Sequence, residues 1–263
     1  MSLPLLKKTI VVTRDNKQAQ NFKRKIEELG GSVIEFPVIK IIETENWIEC
    51  DKAIVHLKEY DWIVFTSINA AHYFILRLQR KNIKIDKQKI AVIGQKIADY
   101  LKENSIITDL IPEKFNAKEL LKSFNELSLD GSHVLLPVSN LAGDVLKNGL
   151  EKQGCVVNKV EVYRTIANYS LNTEEMLSLI KSGSVHCLTF FSPSAFKYFI
   201  ETLNNDVMML LKKQKPVIAA IGDTTAGVII KSGLQVEIKP VQSSEECMLD
   251  EIVKYFKKIP VKT

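Results

Sequence analysis

The feature that most limits what this chain can fold into is a repeat of itself. "IAVIGQKIA" at Ile90–Ala98 returns as "IAAIGDTTA" at Ile218–Ala226, 128 residues later. "TIVVTR" at Thr9–Arg14 has its counterpart at His133–Val138, "WIVFTS" at Trp62–Ser67 has one at Cys187–Ser192, and Pro112 has one at Pro240. The strand-like runs end in small polar residues, and apolar residues at helical spacing follow. Runs that are apolar at every position suit strands buried on both faces, and the spacing behind them suits helices packed on a sheet. Two copies of this alternation predict an α/β protein of two similar domains, each a parallel sheet flanked by helices. Two copies are too few for a solenoid.

The helical pieces carry their own punctuation. Ala19, Phe22, Ile26 and Leu29 form one apolar face, closed by Gly30-Gly31. Ala71, Phe74, Ile75 and Leu78 form another, and Ile97 and Leu101 a shorter one. Asn116, with Glu119 three residues on, predicts a capped helix whose buried face is Leu120, Leu121, Phe124 and Leu127. Leu141, Val145, Leu146 and Leu150 predict a helix that stops at Gly154. Ser192 is a predicted N-cap with Pro193 at the first helical position, ahead of Phe196, Phe199, Ile200 and Leu203. Ser243 and Glu246 stand in capping-box spacing before the last helix. "SVIEFPVIKIIE" and "CVVNKVEVYRTIA" occupy matching places, and each is about twice the length of an average strand. Either each begins in one domain and ends in the other, or each is a strand with an irregular loop. The residues alone leave both open.

With 263 residues, 46% of them hydrophobic, the chain can bury two cores. No apolar run is long enough to predict a membrane span. The opening "MSLPLLKKTIVVTR" lacks a secretory signal core, so a cytoplasmic location is expected. Cys50, Cys155, Cys187 and Cys247 are far apart, as reduced buried thiols are. His56, His72, His133 and His186 are equally scattered, so a metal site is not expected. The net charge of +5 is mild, and no dense basic block is interleaved with aromatics. A nucleic-acid partner is therefore not expected, while a small anionic ligand suits the sign.

In open parallel sheets, ligands sit beyond the carboxyl ends of the strands. The residues there are Thr13 and Arg14; Thr66, Ser67 and Asn69; Gly94 and Gln95; Ser139; Ser192, Pro193 and Ser194; and Gly222, Thr224 and Thr225. Most stand at helix starts, where unpaired N–H groups and a partial positive charge favour carboxylates or phosphates. Any one of the polar residues could simply cap its helix; the set together points to a ligand cleft. Gly222 and Gly227 have P-loop spacing, but Val228-Ile229 replaces the required Lys-Ser/Thr pair. No dinucleotide fingerprint and no nucleophile elbow is present. What is left is a binding protein, or an enzyme that holds and orients a reactive substrate.

These residues resemble the uroporphyrinogen-III synthase family over nearly the full length. The resemblance rests on "VVTR", "LGGSVIEFPVI", "YDWIVFTSINAAHYF" and "AVIGQKIA" in the first half, and on "VEVYRT", "TFFSPSAFKYF" and "AAIGDTTAGVIIKSG" in the second. It implies one domain of residues 1–37 and 167–263 and a second of 43–160. A two-stranded antiparallel ladder, 38–42 and 161–166, would join them, with the active site in the cleft between. It further implies a cofactor-independent monomer that closes hydroxymethylbilane into uroporphyrinogen III, with loss of water and inversion of ring D. Tyr163 would be the family's tyrosine and the proton donor, since a phenol stays protonated near neutrality; a hinge-packing tyrosine is the other reading. Thr66, Ser67, Ser192, Ser194, Thr224 and Thr225 would bind carboxylates or pyrroles. Arg14 would pair with a substrate carboxylate or form a salt bridge within the fold. The chain departs from the family pattern at Gln95-Lys96-Ile97, where a threonine before the alanine is usual, and at Val138 and Phe191, where arginine and threonine are frequent. The competing expectation is a two-domain hinge-type binding or sensory protein for a small anion, without turnover.

Overall fold

The computed structural model describes residues 3–14, 16–127, 129–204 and 206–258. In chain order the elements are β1 (Thr9–Val12), α1 (Asn16–Glu28), β2 (Ser32–Glu35), β3 (Ile39–Glu43), α2 (Ile48–Val55), β4 (Trp62–Phe65), α3 (Ile68–Arg80), β5 (Lys89–Val92), α4 (Gln95–Glu103) and α5 (Ala117–Asn125). Then follow β6 (His133–Ser139), α6 (Val145–Glu151), β7 (Val156–Ala167), α7 (Thr173–Lys181), β8 (Cys187–Phe190), α8 (Pro193–Leu203), α9 (Asp206–Gln214), β9 (Val217–Ala220), α10 (Asp223–Lys231) and α11 (Glu245–Lys258). They fall into two compact units: residues 1–40 with 166–263, and residues 41–165.

The first unit holds a sheet of order β2-β1-β8-β9, parallel throughout. Alternate residues of its strands serve opposite cores, because successive side chains point to opposite faces. Val11, Leu188, Phe190, Ile218 and Ala220 pack with Met176, Phe196, Phe199, Leu211 and Ile229 from α7, α8, α9 and α10. Ile10, Val12, Cys187 and Ala219 pack with Phe22 and Ile26 of α1 and with Met248, Ile252 and Phe256 of α11. Each large side chain so buried stabilises the fold by about 1.5–3 kcal/mol before chain entropy is counted. Gly30 takes φ +85° where the chain leaves α1, a left-handed turn that a side chain would strain.

The second unit repeats this plan. Its sheet has the order β3-β7-β6-β4-β5, and β7, β6, β4 and β5 run parallel. Ile63, Phe65, Ile90, Val92 and Leu135 face Ile54, Phe74, Leu78 and Leu101 on α2, α3 and α4. Trp62, Val64, Ala91, Val134 and Leu136 face Leu120, Phe124, Leu146 and Leu150 on α5 and α6. By sequence, β1 matches β6 and β8 matches β4, so β2-β1-β8-β9 and β7-β6-β4-β5 are the same order. Each sheet thus combines the first strand pair of one repeat with the second pair of the other. The copies share finer detail: the Asp109 carboxylate accepts the Ile90 N–H at 2.7 Å, and the Glu237 carboxylate accepts the Ile218 N–H at 2.8 Å.

Several sequence expectations need correction. "SVIEFPVIKIIE" is two strands, β2 and β3, broken at Phe36-Pro37-Val38, where proline offers no N–H to a ladder. Leu127 lies beyond the end of α5 and is exposed. Leu141 and Val145 are also exposed, so α6 buries only Leu146 and Leu150. At α11 the capping side chain is Ser244, which accepts the Cys247 N–H at 3.2 Å, rather than Ser243. Asn116 and Ser192 do cap α5 and α8, accepting the N–H groups of Glu119 and Ala195.

Candidate active site

A strand order of this kind has a switch point where consecutive connections leave toward opposite faces, and ligands sit at the carboxyl ends there. In the first unit it lies between β1 and β8, and in the second between β6 and β4. Thr13 and Arg14 follow β1; Ser192, Pro193 and Ser194 follow β8; Gly222, Thr224 and Thr225 follow β9. These residues gather on one edge of the first unit. Ser139 ends β6, Thr66, Ser67 and Asn69 follow β4, and Gly94 and Gln95 follow β5, on the corresponding edge of the second.

Within the first unit the residues differ in what they can offer. Thr13 is fully buried and donates its hydroxyl to the Thr189 carbonyl at 2.7 Å, so that hydrogen is already committed. The Arg14 guanidinium pairs with Glu245 and lies over the Phe191 ring, 5.3 Å from its centroid. The Ser192 Oγ caps α8 by accepting the Ala195 N–H at 3.1 Å, and it lies 3.0 Å from the Ser194 Oγ. Gly222 is the extended residue ahead of α10, with no side chain to cap it, so the first N–H groups of that helix face outward from the strand end. Thr224 is exposed beside them, whereas Thr225 is buried. Asp223 pairs with Lys239.

In the second unit Gly94 likewise precedes α4 without a side-chain cap. Gln95 is exposed and donates to Asp99 at 2.8 Å. The Ser139 Oγ accepts the Leu141 N–H at 3.3 Å. Thr66 and Asn69 are half-buried beside Ser67, whose Oγ caps α3 by accepting the Ala70 N–H at 3.0 Å. The same oxygen lies 3.2 Å from the Tyr163 hydroxyl, and either group can be the donor.

Tyr163 owes its aim to an irregularity in β7. Register with β6 runs evenly to Val138 opposite Glu161 and then jumps, so that Ser139 stands opposite Tyr163. Such a bulge re-aims the side chains that follow it. Val162 and Tyr163 are consequently both buried in the same core, against the alternation of a regular strand. Asn140 pins the β7 backbone just past the bulge. Its N–H donates to the Tyr163 carbonyl at 3.2 Å, and its side-chain oxygen accepts the Thr165 N–H at 2.8 Å. Sequence reasoning missed Asn140, Tyr73 and the bulge. Tyr73 stacks on Tyr163 with ring centroids 6.0 Å apart and planes at 15°. An aromatic at a position off the apolar stripe of α3 was the available signal.

Buried thiols play no visible part. Burial pushes the Cys50 thiol up to about 12 and raises those of Cys155 and Cys187 as well. Among the described residues no group of three or more His, Cys, Asp or Glu side chains is placed to hold a metal ion. Among them too, no helix is long and apolar enough to cross a membrane.

Comparison with known proteins gives a consistent result. The family model described as HEM4, uroporphyrinogen-III synthase HemD, matches residues 20–250. A uroporphyrinogen-III synthase from Chlorobaculum parvum is 26% identical over 239 residues, covering 89% of this chain and 93% of its own. One from Synechococcus elongatus is 28% identical over 228 residues, covering 85% and 86%. In fold, the chain is similar to a crystal structure of a mutant uroporphyrinogen III synthase from Thermus thermophilus. That match has a TM-score of 0.70 at 18% identity and covers 96% of this chain and all of the other.

Proposed function

The chain belongs to the uroporphyrinogen-III synthase family, and on that premise we propose that it converts hydroxymethylbilane with Tyr163 as the proton donor and the two strand-end edges as carboxylate binders. Its activity is that of a cyclising lyase of tetrapyrrole biosynthesis. The family match does not favour the alternative of a hinge-type binding protein. We propose further that it acts as a cytoplasmic monomer without a nucleic-acid partner, and that segments 38–42 and 161–166, which run along β3 and β7, are where its two domains join.

The substrate is a flexible polycarboxylate. Helix starts that present N–H groups suit its acetate and propionate arms, because the unpaired donors and the helix dipole both favour an anion. Gly222 with Thr224, Ser192 with Ser194, and Gly94 are the positions we assign to this task. Thr13 and Thr225 contribute by shaping the edge, since their side chains are buried. Arg14 would exchange Glu245 for a substrate carboxylate.

Loss of the terminal hydroxyl as water leaves an electrophilic azafulvene. The Tyr163 phenol gives the proton that lets the hydroxyl depart. Ring D then attacks through its substituted carbon, forming a spiro intermediate that reopens and closes with ring D inverted. Holding the chain in one conformation favours that route over direct closure, because orientation replaces a search among conformers. The observation that carries the assignment is the Ser67–Tyr163 contact of 3.2 Å at the second unit's switch-point edge. It puts a phenol within reach of a helix start on which a carboxylate can rest.

The test is incubation with freshly made hydroxymethylbilane, then oxidation and separation of the porphyrin isomers. Isomer III is expected; isomer I alone, as in the protein-free control, overturns the activity. Tyr163→Phe is expected to lower kcat by about 100-fold, the lower range for removing a positioned acid. Undiminished turnover removes Tyr163 from that role.

A further inference from the structure

A proton donor must be held as well as present, and one helix touches Tyr163 at two points. We propose that Tyr73 is a positioning residue for the Tyr163 phenol, a proposal that rests on the reading of Tyr163 as the acid. Ser67, the cap of α3, meets the Tyr163 hydroxyl at 3.2 Å, and Tyr73, further along the same helix, lies nearly parallel to the Tyr163 ring and offset from it. A centroid separation of 6.0 Å with planes 15° apart falls within the stacking range of aromatic pairs.

The two contacts have different work. Ser67 fixes one atom of the phenol and does not by itself set the plane of the ring. Stacking against Tyr73 sets that plane, because ring tilt would open a gap on one side. The helix that carries both is itself fixed: Ala70, Ala71, Phe74, Ile75 and Leu78 are buried along it. The Tyr73 hydroxyl donates to the Ile41 carbonyl on β3 at 3.5 Å, a long bond that adds little. Burial, with Glu43 nearby, raises the Tyr73 pKa and keeps its ring neutral. Tyr73 is assigned no contact with substrate, so its removal is expected to change kcat and spare KM. A displacement of about 1 Å in a reacting group can cost on the order of 100-fold in rate.

Five proteins test this: wild type, Tyr73→Phe, Tyr73→Leu, Tyr163→Phe and the double variant Tyr163→Phe/Tyr73→Leu. Each is assayed for kcat and KM with hydroxymethylbilane, and tryptophan emission checks the fold of the unit. Tyr73→Leu is expected to lose about tenfold or more in kcat with KM within about twofold of wild type, as expected when an interaction made in the transition state is lost. Tyr73→Phe keeps the stacked ring and is expected to retain wild-type kcat. In the Tyr163→Phe background, Tyr73→Leu is expected to cost nothing further. A wild-type kcat in Tyr73→Leu, beside an impaired Tyr163→Phe, overturns the positioning role alone. So does an equal loss from Tyr73→Leu in both backgrounds, which marks a general structural effect. A wild-type kcat in Tyr163→Phe overturns the acid assignment itself and the positioning role with it.

Discussion

Replacing Ser67 with alanine should do two separable things, and the internal repeat supplies the control. Ser67 and Ser192 are repeat counterparts with the same backbone geometry, φ/ψ −154°/154° and −161°/158°. Each caps its helix through one N–H, at 3.0 Å from Ala70 and 3.1 Å from Ala195. Losing such a cap costs about 1 kcal/mol. Only Ser67 also meets a buried phenol, Tyr163, at 3.2 Å. Removing that neutral hydrogen bond adds about 0.5–1.5 kcal/mol. Ser67→Ala is therefore expected to destabilise its unit by about 1.5–2.5 kcal/mol; Ser192→Ala is expected to cost its own about 1 kcal/mol, because its second partner, the half-buried Ser194 hydroxyl at 3.0 Å, can turn to water instead. Urea titration measures both. Trp47 and Trp62, the chain's two tryptophans, lie in the unit that contains Ser67, so their emission follows that unit, while circular dichroism follows both. In the isomer assay, Ser67→Ala is expected to lower kcat, since the phenol loses its anchor, and Ser67→Thr to restore it. Ser192→Ala is expected to act mainly on KM through the substrate's carboxylates. Equal stability losses in the two variants, with kcat unchanged in Ser67→Ala, would refute the reasoning.

Two further predictions concern stability. His186 accepts the Thr9 N–H on Nδ1 at 3.0 Å, and burial, helped by Lys8, lowers its pKa below the ordinary value. The unfolded chain then takes up this proton first, so the contribution is complete above about pH 6.5 and is lost as pH falls from there through the folded pKa. Urea midpoints of wild type should fall between pH 7 and pH 5 more steeply than those of His186→Asn, and parallel slopes would reject the linkage. Gly154 takes φ +86°, and a Cβ there would collide with the Asp130 carboxylate. Gly154→Ala should cost at least about 1–2 kcal/mol, whereas Gly143→Ala, which meets open space, should stay within about 0.5 kcal/mol; similar melting curves for the two would contradict this.

The sequence by itself determined what depends on near neighbours along the chain. The strands were legible at Trp62–Phe65 and Val217–Ala220 because a strand covered on both faces must be apolar at every position. The caps at Asn116 and Ser192 were legible because a cap is a contact across three residues. The residues of the strand-end edges followed from the order of strand and helix. What only the tertiary structure decided spans long separations. Nothing local says that β1 joins β8, more than 170 residues on, so that each sheet mixes the two repeats. Nothing local marks the slip of β7 against β6 that turns Tyr163 into the core, since a bulge belongs to a pair of strands and to neither alone. Leu127, Leu141 and Val145 fit the apolar spacing yet face solvent, because periodicity gives a face but not the neighbour that covers it. Tyr73 is the same lesson reversed. Along α3 it stands off the buried stripe, and only the folded sheet brings Tyr163 against it.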